Sequence, residues 1–226
     1  MKKSLLCVIL ALGCGACATK IPYDRTETAG ISRIAIIGPE NPTHYALQDD
    51  SPEGILLGRF NGPPEVVRSE IDDAVVGLRF DLGNELCEAL SEALQNYGYQ
   101  VVIKSVPHPK HRLLDRYDTL AIDADAILDV SIDASGFDRR PWKKQFTPAL
   151  AIRVRLVEKA TQKIRFEQLY VYSDGTPARS AISLQPGDGY SFSSVEEMAA
   201  ERDRVVRALR APILPIASLV GAALAR

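Results

Sequence analysis

Residues 149–172 read Ala-Leu-Ala-Ile-Arg-Val-Arg-Leu-Val-Glu, then Lys-Ala-Thr-Gln, then Lys-Ile-Arg-Phe-Glu-Gln-Leu-Tyr-Val-Tyr. In the first ten residues, apolar side chains alternate with Arg153 and Arg155, which is the period of a strand with one buried face. Residues 159–162 are mostly polar and predict the turn to a second strand. The stretch therefore predicts a β-hairpin, and we expect its two arginines to pair with Asp129 or Asp133 of a neighbouring strand.

Upstream of the hairpin, the patterns predict alternating strands and helices. Apolar residues at helical spacing over 78–98 predict a helix that ends at Gly98, a residue suited to a left-handed helix stop. A shorter pattern predicts a second helix over 111–121. Strands are predicted by runs that are β-branched or that alternate in polarity, at residues 32–38, 99–104 and 126–133.

Downstream of the hairpin, the sequence predicts a last helix and an apolar end. Ser193 or Ser194 can cap this helix, because a glutamate follows each of them three residues later. Beyond two prolines, residues 216–225 are almost entirely apolar. We expect Ile216, Leu219, Val220 and Leu224 to close the domain's own core, and contact with a membrane or a partner is the alternative.

Residues 39–77 interrupt this regular pattern. Five prolines and several glycines predict a long irregular insertion. Its two interpretations are a loop that contacts a partner and ordinary surface decoration. Taken together, the elements predict one α/β domain over residues 32–226, with a mixed β-sheet, a β-hairpin and helices packed on the faces of the sheet.

The N-terminus predicts where the protein is located. Lys2 and Lys3 precede a short apolar run, residues 5–12, and small residues then surround Cys14 and Cys17. The run is far shorter than the roughly 20 residues that span a bilayer, which favours a cleaved signal over a transmembrane helix. Residues 1–16 are therefore predicted as a signal peptide.

This pattern resembles the lipobox of bacterial lipoproteins, in which a peptidase cleaves before a cysteine that carries diacylglycerol. The resemblance implies lipidation at Cys17 or, alternatively, at Cys14. No Asp follows either cysteine, and for proteobacterial lipoproteins this implies the outer membrane, on its periplasmic face. Residues 17–31 are predicted as a tether that reaches up to roughly 40 Å when extended.

Composition excludes some functions. The chain has 226 residues, of which 46% are hydrophobic and 25% charged, as in a folded globular protein. Without Lys2 and Lys3, 25 basic residues face 29 acidic ones, which gives a formal charge of −4. Such a chain lacks the basic patch that nucleic-acid binding requires.

Candidate catalytic or metal-binding patterns are weak. His108 and His111 are three residues apart, but Pro107 and Pro109 break the helix that would aim them together. Aspartates between 123 and 138 lack the glycine and the final glutamate of a calcium loop. Nucleophile-elbow and phosphate-loop motifs are absent from the sequence. We therefore expect no catalytic, cofactor-binding or metal-binding residues, and Cys87 is predicted to be a buried thiol.

Trp142 lies within Arg-Arg-Pro-Trp-Lys-Lys at residues 139–144. An exposed aromatic ring among four cations could bind an anionic surface or the carboxylates of a partner. The alternative is a simple connector between strands.

Over residues 32–210, the order of elements resembles the periplasmic α/β domain of envelope-assembly lipoproteins, such as the curli secretion channel lipoproteins and the lipoprotein activators of penicillin-binding proteins. The resemblance implies fold and compartment but no functional residue. The expected function is a non-enzymatic protein-interaction or envelope-assembly module with an unknown periplasmic protein partner. The alternatives are a self-assembling structural subunit, and hence a homo-oligomer, or a hydrolase with a scattered site.

Overall fold

The computed structural model describes residues 20–42, 44–49, 72–73, 77–109, 111–175 and 180–225. The predicted signal peptide, Cys14, Cys17 and most of the insertion at 39–77 lie outside the described residues.

The described strands form one mixed sheet of seven strands in the order β3-β1-β4-β5-β6-β7, with β2 paired to β4. The strands are β1 (Arg33–Ile37), β2 (Ala46–Asp49), β3 (Gln100–Lys104), β4 (Ala126–Arg139), β5 (Thr147–Glu158), β6 (Ile164–Tyr172) and β7 (Ile182–Leu184). The helices are α1 (Leu82–Asn96), α2 (Val195–Ala200), α3 (Arg202–Arg210) and α4 (Ile213–Ala223), with a 3₁₀ turn at Asp188–Tyr190. The predicted fold class, a single α/β domain with a mixed sheet, is confirmed.

The predicted hairpin is formed by the antiparallel strands β5 and β6. Arg153 donates to Asp133 of β4 over 2.7 Å, as the sequence predicts. Arg155 pairs instead with Glu167 of β6, over 2.8 Å. The expected alternative partner of Arg155, Asp129, accepts hydrogen bonds from other residues, which are described below.

Strand β4 is longer than the prediction and holds two parallel neighbours along one edge. Its first residues, Ala126 to Asp129, pair with β1, and its last, Gly136 to Arg139, pair with β2. Gly136 has φ +146°, and a Cβ atom there would lie 1.9 Å from the carbonyl oxygen of Ala46. Glycine is therefore required for β2 to approach β4. Between these two pairings, residues 130–135 have no described strand beside them on this edge.

Three helices, α1, α3 and α4, cover one face of the sheet. Of the stripe predicted for α1, Leu82, Leu86, Leu90 and Leu94 are completely buried, whereas Tyr97 is 40% exposed. Gly98 has φ +85°, the left-handed conformation expected for the helix stop. Helix α4 packs on α1, and a Cβ atom on Gly221 would lie 3.1 Å from that of Ala93. Close packing of the two helices therefore depends on a small residue at position 221.

The apolar end closes the core as predicted, with one exception. Ile216, Val220 and Leu224 are completely buried, whereas Leu219 is 37% exposed. The helix begins at Ile213, and its inward stripe continues through positions 216, 217 and 220, which turns position 219 outward. The helical run Arg202–Ala223 has the length and mean hydropathy, 22 residues and 1.5, of a membrane span. Because 56% of its apolar 18-residue window is buried in the domain, we assign the run to the core.

A segment without helix covers the other face of the sheet. We call residues 105–109 and 111–125 the covering segment. The helix predicted over 111–121 is wrong, because the N–H of Leu114 donates to the carboxylate of Asp129 over 2.7 Å. Tyr117 and Ile122 of this segment pack on Ala35, Ile37, Ile127 and Val157 in a second apolar cluster.

Residues 20–31, which we predicted as part of a tether, contact the domain. Ile21 forms an antiparallel bridge with Glu167 of β6, through two backbone hydrogen bonds of 2.9 Å. The hydroxyl of Tyr23 lies 2.9 Å from that of Tyr99, and Thr28 is 3% exposed. Ile21 is only four positions after Cys17, which is at most about 14 Å of extended chain. The free reach is therefore much shorter than the length of residues 17–31 implies.

Candidate functional site

A row of ionised side chains crosses three strands beneath the covering segment. Asp129 of β4, Arg155 of β5 and Glu167 of β6 are paired in register, so the three side chains share one face of the sheet. Asp129 is completely buried and Glu167 is 3% exposed. Buried charges of this kind are stable only when they are paired and hydrogen-bonded.

The covering segment supplies three hydrogen bonds to Asp129. Nε2 of His108 lies 2.6 Å from Oδ1, and the N–H of Leu114 and the hydroxyl of Tyr117 each donate to Oδ2 over 2.7 Å. Burial, followed by the charge of Asp129, raises the pKa of Tyr117, which therefore remains a donor. The carboxylate thus anchors a segment that lacks its own regular hydrogen bonds.

The contacts of His108 favour its protonated form in this network. Its second ring nitrogen, Nδ1, lies 3.0 Å from the carbonyl oxygen of Pro109, so both nitrogens face acceptors and both donate. Burial lowers the pKa of His108, but the hydrogen bond to Asp129 and the charge of that carboxylate outweigh burial, and the pKa is raised. With His108 protonated, two cations balance the two carboxylates of the network.

All three histidines of the chain line one small cavity of about 130 Å³. His44, His108 and His111 share it with Glu40, Ser131 and Ile132, among others. It lies where β1 and β3 end and where β4 has no neighbouring strand, which is a common position for ligand sites in α/β sheets. Its volume is that of roughly four water molecules. The cavity can therefore hold water or a small polar group.

The geometry explains how these histidines come together. Pro107 and Pro109 do prevent a helix, but the extended loop still brings both His108 and His111 to the cavity. Nδ1 of His111 lies 3.0 Å from the carbonyl oxygen of Ile132, so it provides a hydrogen-bond partner to β4 where no described strand lies beside it. Within the described part of the chain, no group of three or more His, Cys, Asp or Glu side chains is arranged to hold a metal ion.

The turn between β4 and β5, residues 140–145, presents Trp142, and we call it the Trp142 turn. Trp142 is 71% exposed, as the sequence predicts. Two of the neighbouring cations are paired, because Arg140 lies 3.0 Å from Asp138 and Lys143 lies 3.1 Å from Asp174. The guanidinium of Arg139 lies 4.6 Å above the ring of Phe146. These contacts fix the base of the turn and leave its indole in solvent.

A second exposed surface lies between α1 and α4, and sequence reasoning missed it. This α1/α4 groove has a volume of about 930 Å³ and is lined by Glu85, Glu88, Glu92, Arg207, Arg210 and Leu214, among others. Leu214 is 69% exposed. Arg210 makes two contacts of 2.6 Å with Glu85, which ties the wall formed by α3 to α1. The start of α4 at Ile213 was not predicted from the sequence, and this start is what turns Leu214 outward.

Of the cysteines, the described residues include only Cys87. It is 3% exposed in the helix core, and burial raises its pKa to about 12. The predicted buried thiol is therefore confirmed, and this sulfur lacks the thiolate character that reactivity requires.

No family model and no curated protein sequence matches the chain. The solved structures that resemble it include a Xanthomonas campestris protein described as DUF330, with 10% identity, 90% of this chain and 87% of that chain covered, and a TM-score of 0.41. They also include a hypothetical protein of Chlamydia trachomatis, with 11% identity, 84% of this chain and 99% of that chain covered, and a TM-score of 0.34. A third is a lipoprotein of Neisseria meningitidis, with 12% identity, 62% of this chain and 81% of that chain covered, and a TM-score of 0.22. Similarity this low assigns neither a family nor a function to the chain.

Proposed function

We propose that this protein is a non-enzymatic lipoprotein, held by a diacylglyceryl group on Cys17, or on Cys14, at the periplasmic face of the outer membrane. There it recognises a protein partner of the envelope. The anchor is supported by the two lysines, the short apolar run and the cysteines of the N-terminus.

The exposure of Leu214, 69%, is the observation that carries the recognition function. Around this apolar side chain, the α1/α4 groove has Glu88 and Glu92 on one side and Arg207 on the other. An apolar centre with a rim of both charges is the usual composition of a protein interface. A bilayer interior would not accept the two glutamates, so the groove suits a protein better than a membrane.

The buried polar network supports a structural role over catalysis. His108, Asp129, Tyr117, Arg155 and Glu167 all contact one another or the backbone within the domain. This is how a polar layer anchors a covering segment, and it directs these five groups at each other instead of at a substrate.

A photocrosslinking residue placed at Leu214 in intact cells tests the recognition function. We expect one discrete adduct with another envelope protein, and none from the same residue placed at Thr161, an exposed position in the β5–β6 turn. The variant Leu214→Asp, with the crosslinker moved to Ser218 on the same helix, should lose the adduct without a change in melting temperature. Identical adducts from positions 214 and 161 would contradict the proposal.

A second copy of the chain is the alternative occupant of the α1/α4 groove, because its apolar centre suits self-assembly equally well. An adduct of twice the chain mass, together with a large regular particle in sizing of the purified lipoprotein, would identify a structural subunit.

Labelling of cells with radioactive palmitate tests the anchor separately. We expect label in the wild type and none after both Cys14 and Cys17 are changed to Ser. The single variants Cys14→Ser and Cys17→Ser identify the modified residue. Label that persists in the double variant rules out the anchor.

A further inference from the structure

The direction of the N-terminal chain points the predicted lipid toward one end of the sheet. Ile21 pairs with Glu167 in the antiparallel sense, so at Ile21 the preceding chain points toward the Tyr172 end of β6, where β7 occupies the same edge opposite Tyr170 to Tyr172. Glu167 and Tyr172 are five residues apart, about 17 Å along a strand. From Cys17 to Ile21 the chain extends about 14 Å. A lipid on Cys17 is therefore held within about 14 Å of Ile21, where the preceding chain points to the Tyr172 end of the sheet.

The Trp142 turn lies at this same end. Leu150, near the start of β5, pairs with Tyr172, and Lys143 of the turn contacts Asp174, two residues beyond Tyr172. The direction of the chain at Ile21 and the position of the exposed indole thus point to the same end of the sheet. A membrane that holds the lipid would face this end.

The chemistry of the Trp142 turn matches the surface of a bilayer. Indole rings concentrate at the boundary between headgroups and hydrocarbon, where the ring is partly apolar and its N–H finds a polar partner. Four cations, Arg139, Arg140, Lys143 and Lys144, flank the ring in the sequence, and of these Arg140 pairs with Asp138 and Lys143 with Asp174. Lys143 and Lys144 are both exposed beside the ring. Cations in this position attract anionic lipid phosphates.

We propose that the Trp142 turn rests on the anchoring membrane, with the indole of Trp142 in the headgroup region and Lys143 and Lys144 against lipid phosphates. The proposal rests on the lipid anchor of the proposed function. This contact fixes the orientation of the domain on the membrane. It also separates the membrane surface from the α1/α4 groove, whose glutamates suit a protein.

Trp142 is the single tryptophan of the chain, so its fluorescence reports this contact alone. The mature lipoprotein, purified from cells, is reconstituted into vesicles of phosphatidylethanolamine with phosphatidylglycerol. The reference is the delipidated protein in detergent-free buffer. Relative to this reference, the reconstituted protein should show blue-shifted emission and about a twofold fall in quenching by aqueous acrylamide, because the ring enters the headgroup region. Lipids that carry a spin label at the headgroup should quench the emission.

A charge-reversed variant provides the matched comparison. Lys143→Glu with Lys144→Glu should still float with vesicles through the lipid but lose the blue shift and the protection from acrylamide. Lys104→Glu, at the end of β3, should behave like the wild type.

The outcomes separate the two proposals. If the wild type floats with vesicles but its emission and acrylamide quenching match those of the free protein, the membrane contact is overturned and the anchor stands. Failure to float overturns both. Protection that depends on protein concentration and not on lipid assigns the Trp142 turn to a protein contact and overturns the proposal.

Discussion

Nε2 of His108 lies 2.6 Å from Oδ1 of Asp129, and their side chains are 1% and 0% exposed. This pair holds the covering segment near the start of β4, on the face of the sheet that the described helices leave open. One carboxylate thus receives three hydrogen bonds from a segment whose 20 described residues form no helix or strand.

The first prediction concerns pH. The folded protein raises the pKa of His108 above its usual value of 6.5. The contribution of the pair to stability is therefore complete at pH values below the unfolded-state pKa, and it decreases as the pH rises through the folded-state pKa. Urea unfolding of the wild type and of His108→Gln checks this. The difference in free energy of unfolding between them should shrink as the pH rises, and a constant difference would contradict the assignment.

The second prediction concerns the acceptor. Asp129→Ala leaves His108, the N–H of Leu114 and the hydroxyl of Tyr117 buried without their partner, and should cost about 3–5 kcal/mol in free energy of unfolding. The matched control is Asp123→Ala, whose side chain is 91% exposed in a surface ion pair with Arg33. The control should cost less than about 1 kcal/mol. Equal effects of the two variants would show that the network does not hold the covering segment.

The third prediction concerns the approach of β2 to β4. Gly136→Ala should cost at least about 1–3 kcal/mol from its backbone conformation, with a further loss because a Cβ atom would meet Ala46 at 1.9 Å. Gly30→Ala is the control, since a Cβ atom there meets nothing within 4 Å. Thermal melts of both variants measure the difference. A melting temperature for Gly136→Ala equal to that of the control would show that β2 does not pair as described.

The fourth prediction separates the two faces of α4. Ile216→Ala removes a completely buried side chain and should cost about 2–5 kcal/mol. Leu214→Ala, two residues earlier, removes a mostly exposed side chain and should change stability by no more than about 0.5 kcal/mol. If Leu214→Ala proves as destabilising as Ile216→Ala, the leucine belongs to the core, and the α1/α4 groove loses its role as a recognition surface.

Local patterns in the sequence determined much of the architecture. The alternation around Arg153 predicts a strand with one buried face, and the leucines of residues 82–94 predict the buried stripe of α1, because the period of side-chain direction is a property of each element alone. The helix stop at Gly98 and the exposure of Trp142 are also predicted from the residues next to them in the sequence. The N-terminal pattern predicts a location in the cell envelope, and this prediction does not depend on the fold.

Only the tertiary structure decided the sites. Asp129 draws the N–H of Leu114 away from a helix, because a buried carboxylate needs donors more strongly than a short amphipathic segment needs its own hydrogen bonds. His44 and His108 meet at one cavity although 64 positions separate them in the sequence. Leu214 becomes exposed because α4 begins at Ile213 and packs on α1 through Gly221. Each of these outcomes depends on contacts between distant parts of the chain, which no local period encodes.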